Sequence, residues 1–347
     1  MFFIENKFFL TVGCLLFIFN ANAQVQDQSD HDSSYYHSYP QMVTTRFYFS
    51  QKYTNFTVGG EKNTPDLIYR PNTTLNMGVG ATYRSVTLNL AYGFGFLNKD
   101  HSKGKTKYLD LQTHLYSRKL AIDLSGQFYK GYYSNNKATG YPGKEDYYVR
   151  QDMGIALLGA SVYRIMNDQK FTFRAAILQS EWQQKSAGSL LIGAEIFYGA
   201  IHGDSAFVPA LFSGRYLQEG IHKIHLFKVG PGVGYTYSFV YDKNFYLTWA
   251  LSANVNAGIV HEFSNNGSQD RFTVSPNYTY RFALGYNSSV WAFNLMLVGN
   301  EINFKGASSP ENYDIKIGNF RINLTRRVMP GPKTKKKIKF LDDFLDR

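Results

Sequence analysis

One cysteine, Cys14, stands in 347 residues, and it lies inside the first apolar run. No second cysteine is present, so disulfides within the chain are excluded, and beyond residue 14 so are thiol catalysis and cysteine-ligated metals. Long apolar runs are equally scarce. A membrane-spanning helix needs about 20 consecutive apolar residues, and only the N-terminal stretch approaches that. No G-x-S-x-G nucleophile elbow occurs. The glycine-rich GPGVG at 230–234 lacks the Lys and Ser/Thr of a phosphate loop, and no helix is expected after it. Close packing of a kinked strand accounts for it better, because glycine lets neighbouring backbones approach.

What is abundant is aromatic side chain and glycine: 27 Tyr, 28 Phe and 30 Gly, with a mean hydropathy of only −0.31. That mixture suits many strands that are apolar on one face and polar on the other. In Thr73 to Phe96, Leu75, Met77, Val79, Ala81 and Tyr83 alternate with Asn76, Gly78, Gly80 and Thr82. After Arg84-Ser85, Val86, Leu88, Leu90, Tyr92, Phe94 and Phe96 alternate with Thr87, Asn89, Ala91, Gly93 and Gly95. Two dyad-patterned runs around a tight turn predict a β-hairpin. Each is roughly ten residues long, the length of a tilted strand that crosses a bilayer.

The N-terminus reads as a secretory signal over 1–23. Lys7 precedes the apolar run Phe8 to Phe19, and Ala21-Asn22-Ala23 is a small-x-small cleavage site. A lipid anchor on Cys14 is rejected, because Thr11-Val12-Gly13 lacks the expected leucine and cleavage there leaves a hydrophobic mature terminus. Residues 24–42 are polar and aperiodic, a flexible lead-in. The net charge of +11 is concentrated late: Arg326, Arg327, Lys333, Lys335, Lys336, Lys337 and Lys339 crowd the tail. In an exported protein such a tail points to anionic lipid head groups, lipopolysaccharide or another envelope component, and not to nucleic acid.

Further alternating segments follow the first: Val43 to Tyr53, Lys107 to Tyr116, Leu120 to Tyr129, Tyr148 to Ile165, Phe171 to Trp182, Ser189 to Ala200, Lys223 to Val240, Phe245 to Phe263, Phe272 to Tyr286, Val290 to Phe304 and Tyr313 to Val328. Short turns (RS, SRK, MNDQK, YDKN, NSS) alternate with longer polar loops, including 134–146 and SNNGSQD at 264–270. Transmembrane barrels have this asymmetry between their two ends. With the hairpin the segments number thirteen, whereas a barrel with both termini on one side needs an even number. The alternation fails only between about Lys185 and Lys223, around the irregular stretch 201–222. The expectation is an all-β, antiparallel transmembrane β-barrel over 43–328, of about 12 strands with 14 as the alternative, followed by a basic periplasmic tail at 329–347. Pro330 and Pro332 stop the last strand. Ile338, Leu341, Phe344 and Leu345 fit a short amphipathic helix as well as they fit a disordered tail.

The segments SQKYT at 50–54, YRPNTTLNMGVGATY at 69–83, LNLAYGFGFLN at 88–98, EWQQKSAGS at 181–189, GDSAFVP at 203–209 and GPGVGYTYS at 230–238 carry a resemblance. The chain resembles a Bacteroidetes family of uncharacterised exported proteins, catalogued as a domain of unknown function and regarded as outer-membrane β-barrels. The resemblance covers about 43 to 328. It implies the fold and the outer-membrane location, and it brings no activity, ligand or catalytic residue.

Candidate chemistry is thin, and no catalytic, cofactor-binding or metal-ligating residue is assigned. Asp110, His114 and Asp123 share the inward face of neighbouring strands, where a proton-transfer cluster, a metal site or ordinary polar packing all fit. His222 and His225 are a weak metal pair. Tyr69-Arg70-Pro71-Asn72 reads as a turn leading into a strand. Trp182, flanked by Glu181 and Lys185, reads as part of an interfacial aromatic girdle. The leading functional expectation is a non-enzymatic envelope protein, either a narrow channel or a structural or adhesive barrel, with outer-membrane lipid as its partner. The alternatives are an outer-membrane lipid or lipopolysaccharide hydrolase and a soluble exported β-barrel binding an apolar ligand.

Overall fold

The computed structural model describes residues 31–336 except 62, 85, 98–99 and 136–146. The expected signal peptide, the tail from 337 onward and most of the loop at 134–146 lie outside the described residues. Residues 32–329 form one compact unit, and residues 332–336 form a helical turn outside it.

Sixteen strands occur among the described residues: β1 (Tyr36–Ser38), β2 (Val43–Val58), β3 (Leu67–Tyr69), β4 (Asn76–Tyr83), β5 (Val86–Gly93), β6 (Lys107–Asp110), β7 (Thr113–Tyr116), β8 (Leu120–Asn135), β9 (Tyr147–Ile165), β10 (Glu181–Gln183), β11 (Ala187–His202), β12 (Ile221–Tyr241), β13 (Phe245–Ser264), β14 (Gly267–Asn287), β15 (Trp291–Lys305) and β16 (Asn312–Val328). Fourteen of them make one antiparallel sheet in the order β5-β4-β2-β16-β15-β14-β13-β12-β11-β9-β8-β6, with β3 on β2 and β7 on β8. β3 and β4 lie end to end along β2, and β6 and β7 lie end to end along β8. The wall therefore has twelve strand positions, two of them broken into two pieces. Val43 pairs with Val328, so both ends of the sheet's chain sit at the short-turn end.

Sheet closure is uneven. At the long-loop end Arg70 and Tyr133 exchange backbone hydrogen bonds of 2.8 and 2.9 Å, joining the segment after β3 to β8. There the strands close as a ring of ten: β3, β2, β16 to β11, β9 and β8. Toward the short-turn end β4–β5 and β6–β7 continue the wall, but no ladder among the described residues joins β5 to β6 or β7. The expected barrel of about twelve strands thus takes the form of a closed ring of ten with two further positions paired on one side. β5 is eight residues and β6 and β7 are four each, against 15 to 21 for β11 to β16.

The dyad pattern sets inside and outside as expected for a transmembrane barrel. On β13 Phe245, Leu247, Leu251, Val255 and Ile259 face out, and Thr248, Ser252, Asn254 and Asn256 are buried inside. On β5 Leu88 and Tyr92 are 64% and 68% exposed on the outer face. In GPGVG the glycines 230, 232 and 234 face inward. A Cβ on Gly232 would come within 1.8 Å of Asn254 Oδ1, and one on Gly234 within 2.3 Å of Ser252 Oγ. These glycines leave room for the polar side chains of β13, which is the close packing expected of them.

Three segments differ from the sequence reading. SNNGSQD is a tight hairpin: Ser264 pairs with Gly267, and β14 begins there. The lead-in holds β1, which pairs with β10 and buries Tyr36. Phe171 to Trp182 is not a wall strand, since β9 pairs directly with β11. Its apolar residues follow no strand register because they fill the barrel from within. Removing it from thirteen segments leaves twelve, so the irregularity lay one segment earlier than the 201–222 stretch.

A substitution that fills the glycine seat should weaken the wall. Gly232→Val is expected to cost about 1–3 kcal/mol by overpacking, whereas Val233→Leu on the outer face should be neutral. Loss of the heat-modifiable gel mobility at a lower temperature in the first variant alone would show it.

Candidate functional site

The lumen is built in three layers. At the short-turn end, residues 166–186 fold into the barrel. They carry a five-residue π-helical turn at Arg174–Leu178, in which all but Arg174 are buried. Phe171, Phe173, Ala176, Ile177 and Leu178 pack with Tyr116, Tyr163, Leu191, Tyr246 and Met296 of the wall. A segment with so few internal hydrogen bonds brings bare carbonyls into a buried space, and each must find a donor. The wall provides them. Asn294 Nδ2 donates to Ala176 O (2.7 Å), Tyr246 OH to Ala176 O (3.0 Å), Asn287 Nδ2 to Ala175 O (3.1 Å) and Arg46 Nη2 to Leu178 O (2.9 Å). Arg327 Nη2 donates to Gln179 O (2.6 Å) and Glu181 O (2.8 Å).

The base of this plug is the EWQQKSAGS segment. Glu181 is buried, pairs with Arg174 at 3.0 Å and accepts from Thr172 Oγ1 (2.6 Å) and Ser38 Oγ (3.0 Å). Gln183 Nε2 donates to Lys170 O (2.6 Å), while Trp182 Nε1 donates to Lys243 O (2.8 Å). Ser189 Oγ accepts from Asn167 N–H at 2.9 Å. The girdle reading of Glu181 is thereby corrected: its carboxylate holds the plug together instead of facing a membrane interface. Burial pushes the Tyr36 phenol at this base upward.

The long-loop end is filled from the other side by residues 203–220. Phe207, Val208, Phe212 and Tyr216 join an apolar cluster with Phe56, Tyr69, Ile155, Leu226, Phe304 and Tyr313. Arg150 pairs with Asp152 at 2.8 Å and donates to Ser205 O and Ala206 O, both at 2.8 Å. Tyr69 OH donates to Phe207 O. Tyr69-Arg70-Pro71-Asn72 is thus more than a turn: Tyr69 holds the loop-side filling, Arg70 closes the ring, and Asn72 Nδ2 donates to Gly104 O at 2.8 Å.

Between the two fillings lies a polar layer. His114 Nδ1 meets Asp123 Oδ1 at 2.6 Å, and Tyr116 OH donates to the same oxygen at 3.2 Å. Arg281 of β14 reaches across to the other Asp123 oxygen. Asp110 is not part of this group: it binds Lys52 (2.8 Å), Tyr129 OH (2.6 Å) and Gln127 (3.2 Å). Buried Glu195 accepts from Asn256 (2.5 Å) and Asn277 (2.7 Å), and buried Lys228 donates to Ser275 and Asn277, both at 2.8 Å. A cavity here is lined by Gln112, His114, Asp123, Ser125, Thr279 and Asn300. His114 Nε2 has no hydrogen-bond partner among the described residues.

The sequence therefore places His114 and Asp123 correctly but misses Arg281, the group that neutralises Asp123. No local signal ties Arg281 to them, since the pair joins opposite walls. His222 and His225 fall on different faces: His225 stands opposite His261 on the outer surface, while His222 Nδ1 lies 3.4 Å from Gly220 O. No group of three metal-ligating side chains occurs among the described residues.

Fold and site define an all-β barrel with a lumen filled from both ends. The chain belongs to the family described as Domain of unknown function (DUF4421), whose model matches residues 30–326. No curated protein matches. Among solved structures, the outer membrane protease OmpT from Escherichia coli aligns with 9% identity and a TM-score of 0.36, covering 84% of this chain and 98% of that one. The OmpT protein of Vibrio cholerae aligns with 11% identity and a TM-score of 0.29, covering 81% and 98%. The Pseudomonas putida toluene transporter TodX aligns with 6% identity and a TM-score of 0.26, covering 83% and 90%. Similarity at this level carries no argument about activity.

Breaking the cross-lumen pair tests the polar layer. Asp123→Ala leaves Arg281 buried without its carboxylate and is expected to cost about 3–5 kcal/mol, whereas Asp123→Leu combined with Arg281→Met should cost much less. Denaturant unfolding of the singles and the double as a thermodynamic cycle checks it.

Proposed function

We propose that this protein is an outer-membrane β-barrel with a sealed lumen, serving as a structural or adhesive envelope component and not as an open pore. The observation that carries the reading is the double filling of the lumen, by residues 166–186 at one end and 203–220 at the other. A ring of this size falls between an eight-stranded barrel, whose side chains fill it, and a porin with an aqueous channel. Here the chain itself takes up the difference.

The outer surface supports a membrane setting. Outward Leu, Val, Phe and Tyr recur along β5 and β11 to β16, and a soluble barrel would expose that apolar surface to water. The short turns would then be periplasmic and the long loops external. Export through a cleaved signal peptide over 1–23 accords with this placement, and the basic tail would meet anionic head groups on the periplasmic side.

The hydrolase reading has less support. His114 and an acid do meet, with Ser125 and Ser161 lining the same cavity. However, no hydroxyl donates to or accepts from His114 Nε2 among the described residues, and Asp123 is tied to Arg281. A nucleophile–base hydrogen bond is the first geometric requirement of such a site.

Two measurements test the proposal. After fractionation the protein should stay with membranes through alkaline carbonate extraction; release into the soluble phase would contradict the membrane setting. In planar bilayers the wild type should be silent. Replacing 171–180 by a short Gly-Ser linker should leave it silent, and shortening 205–216 as well should open steady conductance. Steady conductance of the wild type would contradict a sealed lumen.

A further inference from the structure

With both ends filled, the side of the barrel offers another way into its interior. The seam between β5 and β6–β7 is that side. Its upper limit is a polar knot: Lys52 to Asp110 at 2.8 Å, Tyr108 OH to Asn76 Oδ1 at 3.2 Å, and Asn72 N–H to Thr106 Oγ1 at 2.7 Å. Below the knot the inner face of β5 is open. Asn89 and Ala91 are exposed, although inward-facing side chains on β13 and β14 are buried.

The inner wall beside the seam carries unbalanced positive charge. In register, Arg46 of β2 stands beside Gly80 of β4 and then Asn89 of β5, while Tyr48 stands beside Gly78 and then Ala91. The glycines let the larger side chains lie across them: Tyr48 covers Gly78, and Asn89 and Arg46 flank Gly80. Arg321 of β16 lies over the Tyr48 ring at 4.4 Å. Among the described residues Arg321 makes no ion pair, and its Nε lacks a partner. Among the described residues Arg46 has neutral partners, Thr82 and Leu178 O, and its Nε is also unpartnered. A guanidinium held in a lumen without a carboxylate is costly unless an anion completes it. Outside, the rim of the seam is apolar: Leu88, Leu90 and Tyr92 on one side, Leu109, Leu111 and Leu115 on the other, all exposed.

We propose that the seam admits an anionic, phosphate-bearing lipid sideways from the membrane, with its phosphate on Arg321 and Arg46 and its acyl chains left against the leucine rim. The planar guanidinium fork suits phosphate oxygens. The apolar rim selects a lipid over a free anion. Asn89 adds a side-chain amide on the path between them. The proposal rests on the membrane reading, and its failure is separable: carbonate extraction reports on the setting, whereas the binding experiment reports on the seam.

The test uses full-length protein in nonionic detergent with a fluorescent phosphatidic acid, inorganic phosphate and a neutral diacylglycerol as probes. Saturable binding of phosphatidic acid near one per chain is expected, weakened about tenfold or more by Arg321→Gln and unchanged by Arg326→Gln on the outer surface. Because Arg321 makes no hydrogen bond among the described residues, the variant should fold, as heat-modifiable mobility will show. Ala91→Trp, at an exposed position on the inner face of β5, should block binding independently. Millimolar inorganic phosphate should not displace the lipid. The proposal is overturned if phosphatidic acid does not saturate, if Arg321→Gln and Ala91→Trp bind like wild type, if inorganic phosphate alone competes fully, or if diacylglycerol binds as tightly.

Discussion

A ring of ten to twelve strand positions encloses more space than inward side chains fill, and everything else in this structure answers that constraint. The chain returns into its own lumen twice. Each return carries backbone polar groups into a space where water is scarce, so each needs donors and acceptors fixed on the wall. Asn287, Asn294, Arg46, Tyr246 and Arg327 answer the carbonyls of the turn-side plug. Arg150 and Tyr69 answer those of the loop-side filling. The inward polar residues are therefore chosen for bonding partners as much as for solubility.

The same demand shapes the middle of the barrel. Apolar filling at both ends leaves Asp123, Arg281, Glu195 and Lys228 in a confined layer, where charges must be matched across the lumen. Arg281 and Asp123 do this from opposite walls. Arg46 and Arg321, like Arg327, meet no carboxylate among the described residues, and these two stand near the stretch of wall where no ladder joins the described strands. Incomplete pairing of backbone and incomplete pairing of charge thus coincide in one region.

The wall was legible in the sequence because its signal is local. Leu88 to Tyr92 against Asn89 and Ala91, or Phe245 to Leu251 against Tyr246 to Ala250, declare two faces without any knowledge of the fold. The plug was not legible for the same reason. Phe171, Phe173, Ile177 and Trp182 look like another half-buried strand, and only pairing of β9 with β11 removes the segment from the sheet. His114 and Asp123 were foreseeable from neighbouring strands, yet Arg281 lies 158 residues from Asp123 in sequence. The resemblance segments EWQQKSAGS, GDSAFVP and YRPN gave a fingerprint, and their roles in plug base, loop filling and ring closure follow from contacts that no linear pattern encodes.

Backbone amide exchange across residues 171–183 tests the central claim most directly. A segment seated in the lumen, with carbonyls bonded to the wall and apolar side chains buried, should be slow to exchange as a unit, with protection approaching that of β11 and β13. Exchange of the whole segment at the rate of an open loop, while the wall strands stay protected, would contradict a lumen filled from within.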